Sequence, residues 1–316
     1  MEWEKTLNTY DMIIIGGGVA GLSAGIYAMR SRLNTVLVER FTPGGQMMVV
    51  DHIENYPGFP NGIVGADLSA AMEQQARGLG LEIISADVTS VDFSGHDKVV
   101  TTPDGELQAQ TIILATGATP RRLGIPGEDR LLGKGVSYCA TCDGTLFSDK
   151  EIAVIGGGNS AIQDATFLAR FASKVTVIHR RDELRAVKIL QERIFKNPKI
   201  EIIWDSVATE IQGENKVQSI AIENVKDGSC LVLPAEGVFV LIGTAPNADF
   251  LRGHVILDPD GYIITDEDML TNVMGVFAAG DCRRKSLRQM VTAAADGAIA
   301  AMSAEQYIES LKDRSL

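Results

Sequence analysis

A β-branched run, Asp11-Met12-Ile13-Ile14-Ile15, breaks off into Gly16-Gly17-Gly18-Val19-Ala20-Gly21. Helix-compatible residues follow from Leu22 to Arg30, and Thr35-Val36-Leu37-Val38-Glu39 is a second apolar run ending in an acid. Strand, glycine turn, helix and strand in this order make one βαβ unit. The order returns in mid-chain. Glu151-Ile152-Ala153-Val154-Ile155 leads into Gly156-Gly157-Gly158-Asn159-Ser160-Ala161, a helical stretch runs to Phe171, and Lys174-Val175-Thr176-Val177-Ile178 forms the next strand. Two such units about 140 residues apart are a duplication at the scale of domains, not a short solenoid repeat. The fold class is therefore α/β, and 316 residues are enough for two ordinary domains.

Gly16, Gly18 and Gly21 form G-x-G-x-x-G between a strand and a helix. The first glycine permits a tight turn, the second lets the backbone approach a pyrophosphate, and the third lets the helix pack closely on the strand. The helix N-terminus then faces the phosphate charge. Glu39, at the end of the next strand, is spaced for a ribose hydroxyl. An ordinary glycine turn is the bland alternative, and the strand, helix and terminal acid together count against it. Gly156, Gly158 and Ala161 repeat the motif as G-x-G-x-x-A, but its second strand ends in His179-Arg180-Arg181-Asp182-Glu183-Leu184-Arg185. An acid there suits an unmodified ribose, whereas guanidinium groups offer several fixed donors to a 2′-phosphate. The reading is NADP(H) rather than NAD(H), against the alternative of a solvated charged loop.

Two Gly/Pro-containing segments, Ala115-Thr116-Gly117-Ala118-Thr119-Pro120 and Gly243-Thr244-Ala245-Pro246-Asn247, read as crossings between domains. The second βαβ unit then lies in a domain, residues 118–246, inserted into a first domain made of residues 1–117 and 247–316. After the return, Gly275-Val276-Phe277-Ala278-Ala279 is strand-like and ends in Gly280-Asp281. A helix is expected through Arg288-Gln289-Met290 and on to Ala301.

Cys139-Ala140-Thr141-Cys142-Asp143 carries the chemistry. Two cysteines at this spacing close a small disulfide ring and store two electrons. Asp143 is placed to move a proton to or from a departing thiolate. Half of a zinc site is the competing reading, but it needs two further soft ligands, and no second C-x-x-C or H-x-x-H is present. No metal site is expected. Cys230 and Cys282 have no partner at motif spacing and read as passive thiols. Neither His52 nor His179 has a serine–acid arrangement that suggests hydrolysis, and His179 belongs with the phosphate loop.

A net charge of −12 argues against general affinity for nucleic acid or an anionic membrane. The charged start Met1-Glu2-Trp3-Glu4-Lys5 has no signal-peptide character and no apolar run reaches transmembrane length, so the chain reads as cytoplasmic. A C-x-x-C in that setting points to redox or metal chemistry, not to a secreted disulfide framework.

At this point the chain resembles the bacterial and archaeal low-molecular-weight thioredoxin reductases, along essentially its whole length. The resemblance rests on Gly16 to Gly21, Pro43-Gly44-Gly45-Gln46, Glu54-Asn55-Tyr56-Pro57-Gly58, Ala115-Thr116-Gly117, Cys139 to Asp143, Gly156 to Ala161, His179 to Arg185, and Gly275 to Asp281 with Arg288-Gln289, all in the family's order. It implies two Rossmann-like dinucleotide-binding domains, with the NADPH domain carrying the C-x-x-C and inserted into the FAD domain. FAD would be held by Gly16, Gly18, Gly21, Glu39, Gln46, Asn55, Thr116, Gly117, Asp281, Arg288 and Gln289. NADPH would be held by Gly156, Gly158, Asn159, Ser160, Ala161, His179, Arg180, Arg181 and Arg185. The family is homodimeric and rotates one domain against the other, which would put hinges near Gly117 to Pro120 and Gly243 to Asn247. This chain departs from the family at Gln163-Asp164, where a glutamate pair is common, and at Thr244, where a histidine is common.

The expected reaction is reduction of a thioredoxin disulfide by NADPH, through FAD and the Cys139/Cys142 dithiol. Its rivals are a ferredoxin-fed reductase, an FAD-dependent dithiol oxidase and a non-enzymatic redox sensor. Arg180, Arg181 and Arg185 discriminate against the first two, and the intact C-x-x-C-Asp against the third.

Overall fold

The first strand does what its sequence asks of a central parallel strand. Met12, Ile13 and Ile14 are all fully buried, because both faces of their sheet are covered. The computed structural model describes residues 8–50, 53 and 55–314. His52, Glu54 and the charged residues 1–5 lie outside the described residues.

In chain order, β1 (Asn8–Ile15), α1 (Val19–Arg30) and β2 (Thr35–Glu39) build the first βαβ unit. They are followed by α2 (Gly65–Gly78), β3 (Glu82–Ser85) and a meander of β4 (Ser90–Asp92), β5 (Lys98–Thr102) and β6 (Gly105–Leu114). The sheet runs β3-β2-β1-β6-β5-β4, parallel from β3 to β6 and antiparallel through β5 and β4. The chain leaves through β7 (Ala118–Pro120).

The second stretch contains β8 (Val136–Ser137), α3 (Ala140–Asp143), β9 (Glu151–Ile155), α4 (Asn159–Leu168), β10 (Lys174–Ile178), α5 (Lys188–Phe195) and β11 (Ile200–Ile203). It continues with β12 (Ser206–Gln212), β13 (Ser219–Asn224), β14 (Cys230–Pro234) and β15 (Gly237–Val240). A five-stranded all-parallel sheet, β11-β10-β9-β15-β8, is accompanied by an antiparallel sheet, β12-β13-β14. β16 (Thr244–Pro246) pairs with β7, so the outgoing and returning crossings form one two-stranded ribbon. β17 (Val276–Ala278) then joins the first sheet beside the end of β6, and α6 (Met290–Arg314) follows.

The chain divides into one unit of Met1–Thr119 with Ala245–Leu316 and a second unit of Pro120–Thr244. Each sheet sends alternate residues to opposite faces. In the first unit Met12, Ile14 and Leu37 pack with Leu22, Ala300 and Ile308, while Ile13, Ile15, Val36 and Val38 join a second core with Val100, Leu251 and Ile263. In the second unit Ile152, Val154 and Val177 pack with Ile162 and Leu168 of α4. Ala153, Ile155 and Val240 meet Ile211, Ile220 and Ile222 of the antiparallel sheet on the other face.

Two helix ends differ from expectation. α4 stops at Leu168 rather than Phe171, because Arg170 and Phe171 bond three residues back and tighten the last turn. α6 continues well past Ala301, because Ala304 and Ile308 extend its buried stripe. No helix among the described residues is long and apolar enough to cross a membrane.

Candidate functional site

In the first unit the registers Ile15↔Val38, Ile15↔Leu114 and Ala278↔Leu114 make β1, β2, β6 and β17 end level. That carboxyl edge, the usual ligand edge of an open parallel sheet, gathers Gly16 to Gly18, Glu39, Thr116, Gly117 and Asp281. Gly16 has φ +108°, and a Cβ there would collide with the Ala115 carbonyl. A Cβ on Gly21 would strike the Gly16 carbonyl, whereas Gly18 faces open space. The three glycines therefore divide the roles of turn, phosphate approach and helix packing as the motif requires. α1 begins with no side-chain cap and no acid in its first turn, which leaves its N–H groups open to an anion.

Glu39 accepts the Gly17 N–H at 2.6 Å with Oε2 and the Phe41 N–H at 3.0 Å with Oε1, so its carboxylate sits against the turn. Gln46 donates to the Ala118 carbonyl, and Asn55 donates to Gln289 Oε1 at 3.1 Å. The Arg288 guanidinium lies 4.0 Å over the Tyr262 ring. Thr116 Oγ1, Asp281 Oδ1 and Arg288 Nε are buried polar atoms with no hydrogen-bond partner. Buried polar atoms are normally paired, so these fit a ligand that brings its own hydroxyls and acceptors, as FAD does. Burial pushes the Asp281 carboxyl upward and Asp296 adds to that, while Lys285 and Arg288 pull it down.

In the second unit, Ile155 pairs with Ile178 and Val240, Ile178 with Ile203, and Phe239 with Ser137. This carboxyl edge gathers Gly156 to Gly158, the His179 to Arg185 loop, and Cys139. A Cβ on Gly156 would lie 2.5 Å from the Leu241 carbonyl oxygen and 2.6 Å from the Ala161 methyl, while Gly158 again faces open space. That open side fits the diphosphate of a second dinucleotide. Asn159 is turned sideways, its Oδ1 accepting the Val187 N–H at 2.8 Å, and Ser160 is exposed at the start of α4.

His179 does not face solvent with the arginines. Its ring lies under the Gly157 backbone, with Nε2 3.0 Å from the Glu183 carbonyl, and burial holds its pKa below the usual imidazole value. It supports the turn from beneath. Arg180, Arg181 and Arg185 are exposed and form no salt bridge among the described residues. Two acids near them are occupied: Lys226 pairs with Asp182 at 3.2 Å and with Asp205 at 2.9 Å.

Cys139 and Cys142 form a disulfide with Cα atoms 5.3 Å apart. Cys139 ends the extended segment after β8, and its sulfur accepts the Cys142 N–H at 3.2 Å. Ser137, which the sequence reading passed over, organises the motif. Its hydroxyl donates to Asp143 Oδ2 at 2.6 Å and receives the Cys139 N–H at 3.0 Å. The carboxylate that follows the second cysteine is thus tied back to the strand that leads into the first.

Three further contacts lie outside any motif. Tyr138 donates to the buried Glu128 at 2.7 Å, and the same carboxylate accepts the N–H groups of Leu123 and Gly124. Asn247 donates to the Thr116 carbonyl at 2.9 Å and receives the Thr119 hydroxyl at 3.0 Å. Asp296 binds the Gly280 N–H at 3.0 Å. Cys282 is buried against the Leu114 and Ala279 carbonyls, and Cys230 is exposed. No metal-ligating cluster occurs among the described residues.

Two sheet edges built for dinucleotides, one of them bearing a C-x-x-C disulfide, define a disulfide oxidoreductase with two nucleotide-binding units. The chain belongs to the pyridine nucleotide-disulphide oxidoreductase family, whose pattern matches residues 10–297. It is 48% identical to a thioredoxin reductase of Peptoclostridium acidaminophilum, over 96% of this chain and 98% of that protein. The crystal structure of thioredoxin reductase from Streptococcus pyogenes is 46% identical, with a TM-score of 0.91, over 96% of this chain and 100% of the other. A thioredoxin reductase from Giardia duodenalis matches at 39% identity and a TM-score of 0.89, over 96% of this chain and 99% of the other.

Proposed function

We infer that this chain is an oxidoreductase that passes two electrons from NADPH, through FAD and the Cys139/Cys142 pair, to the disulfide of a thioredoxin. The observation that carries this reading is the closed disulfide at the carboxyl edge of the same parallel sheet as the Gly156-to-Ala161 turn. When bound, FAD would supply the two-electron relay between NADPH and the Cys139–Cys142 disulfide.

The chain's own residues bind, orient and move protons. Gly18 and Gly158 admit a diphosphate to each helix N-terminus. Arg180, Arg181 and Arg185 take the 2′-phosphate. Thr116, Asp281, Arg288, Asn55, Gln46 and Gln289 hold FAD. Once the pair is reduced, one thiolate attacks the partner disulfide and forms a mixed disulfide; the other thiolate then displaces the reduced partner and closes Cys139–Cys142 again. Asp143, held by Ser137, holds and returns the proton.

In this reading residues 1–117 and 247–316 are the FAD-binding domain and residues 118–246 the NADPH-binding domain. The protein is a cytoplasmic homodimer, and exposed Tyr27, Ile299 and Met302 on α1 and α6 offer apolar surface to a second copy.

An anaerobic titration of the yellow protein, following flavin absorbance, tests the reading. Rapid bleaching by NADPH and weak bleaching by NADH are expected. If neither nucleotide bleaches the flavin while dithionite does, the second nucleotide site is not where electrons arrive and the reading fails.

A further inference from the structure

The turn that presents Asp281 is held by a carboxylate sixteen residues further on. Asp296, early in α6, is buried, and its Oδ2 accepts the Gly280 N–H at 3.0 Å and Lys285 Nζ at 2.7 Å, with Arg283 Nε an ion-pair neighbour at 3.4 Å whose N–H donates to Met269 Sδ. The Lys285 and Arg283 side chains are 8% and 13% exposed, so this is an internal network, not a surface pair. Gly280 itself has φ +79°, and a Cβ there would lie 2.9 Å from the Ala20 methyl in the first turn of α1. A Cβ on the neighbouring Gly297 would collide with the Ala20 carbonyl. The Gly280–Cys282 turn is therefore wedged between α1 and α6, with Asp296 fixing its backbone. What it presents is Asp281, whose Oδ1 is buried and unpartnered; Arg288, whose Nε is likewise unpartnered, acts electrostatically on the same carboxyl.

We propose that Asp296, with Lys285 and Arg283, is the positioning network that aims Asp281 at the polar chain of FAD; this rests on the FAD reading above. The charge count supplies the mechanism. Two buried cations face Asp296, and Lys285 also acts electrostatically on Asp281. With the Asp296 charge in place, Lys285 is engaged and Asp281 keeps an oxygen free. Without it, the lysine turns to the other carboxylate on which its charge already acts, Asp281, and masks the oxygen that the cofactor needs. The Gly280 N–H also loses its charged acceptor, and the turn loses its fixed orientation.

The test uses the full chain stripped of FAD and titrated with FAD by fluorescence quenching. NADP⁺ binding is measured in parallel as a control on the other unit. Asp296→Asn is expected to raise the FAD dissociation constant at least tenfold, to alter the visible circular dichroism of the bound flavin, and to leave NADP⁺ affinity unchanged. Asp296→Glu, which keeps the charge, is expected to recover a large part of the loss. Lys285→Met is expected to raise the constant several-fold, and it decides the matter alone if Asp296→Asn does not yield folded protein. If the variants bind FAD as the wild type does, the network is merely structural and the proposal is overturned. If the wild type itself takes up no FAD, the FAD reading fails instead, and the two failures are told apart by that one control.

Discussion

Ser137 joins the two ends of the redox motif through one hydroxyl: it bonds the Asp143 carboxylate at 2.6 Å and receives the Cys139 N–H at 3.0 Å. A proton released or taken up at the cysteine pair therefore has a carboxylate held at a fixed place in the motif. Asp143→Asn keeps the shape and removes the proton acceptor, so disulfide turnover should fall on the order of tenfold to a hundredfold. The acidic limb of the pH–rate profile should change with it, and an unchanged profile would remove Asp143 from proton transfer. Cys142→Ser is a sharper cut. The variant should keep its yellow colour and its bleaching by NADPH, yet lose thioredoxin reduction by several orders of magnitude; turnover that survives would mean the dithiol is not on the path. The cysteines and Asp143 could be read from the sequence because they are adjacent in it. Ser137 could not, since a serine before a C-x-x-C has no distinguishing pattern and its role comes from the loop folding back. Glu128 with Tyr138, and Asp296 with Gly280, were hidden for the same reason: burial and a backbone partner define them, and neither is periodic.

At the scale of elements, α4 and β16 carry the departures from the family, at Gln163-Asp164 and at Thr244. Both βαβ units were legible because glycine is demanded at fixed offsets by local sterics, as the collisions around Gly16, Gly21 and Gly156 show. The inward turn of His179 was not legible, because the four residues that follow it, Arg180 to Glu183, are all exposed and charged. The arginines beside it do face outward while Lys226 occupies Asp182 and Asp205. Arg181→Ala combined with Arg185→Ala should raise the KM for NADPH at least tenfold and leave that for NADH nearly unchanged, since each lost bond is to a charged acceptor. Equal changes for both nucleotides would place the 2′-phosphate elsewhere.

On α4 itself, burial pushes the Asp164 carboxyl up to about 6. A carboxyl with a raised native pKa binds its proton more tightly in the folded state. Stability is then lost as pH rises from the unfolded pKa near 4 through 6, and the loss is complete above that. Asp164→Asn should remove this loss, gaining at most about 2–3 kcal/mol relative to wild type between pH 4.5 and 7.5. Urea unfolding at the two pH values measures it, and parallel shifts in both proteins would show that the group titrates normally.

At the scale of the molecule, each buried cluster among the described residues belongs to one unit: two cores flank the first sheet and two others flank the second. The chain passes between the units only at the crossings, where β7 and β16 pair and where Gly117 and Gly243 adopt positive φ of +69° and +106°. Cores that share no buried side chain have little means of transmitting cooperativity, and a ligand stabilises only what it binds. At a free concentration of one hundred times its dissociation constant, that stabilisation is about 2.7 kcal/mol. The FAD-free protein should therefore melt in two calorimetric transitions, one raised several degrees by FAD and the other by NADP⁺, each nearly indifferent to the other ligand. A single transition raised equally by both would mean that the inserted unit and its host fold as one, and the assignment of one cofactor to each would then have no thermodynamic basis. If the two transitions are found, the crossing glycines gain a second use, because units that melt independently can also turn independently. Replacing Gly243 by valine at its positive φ should then lower kcat for thioredoxin while leaving both melting transitions and both nucleotide affinities in place.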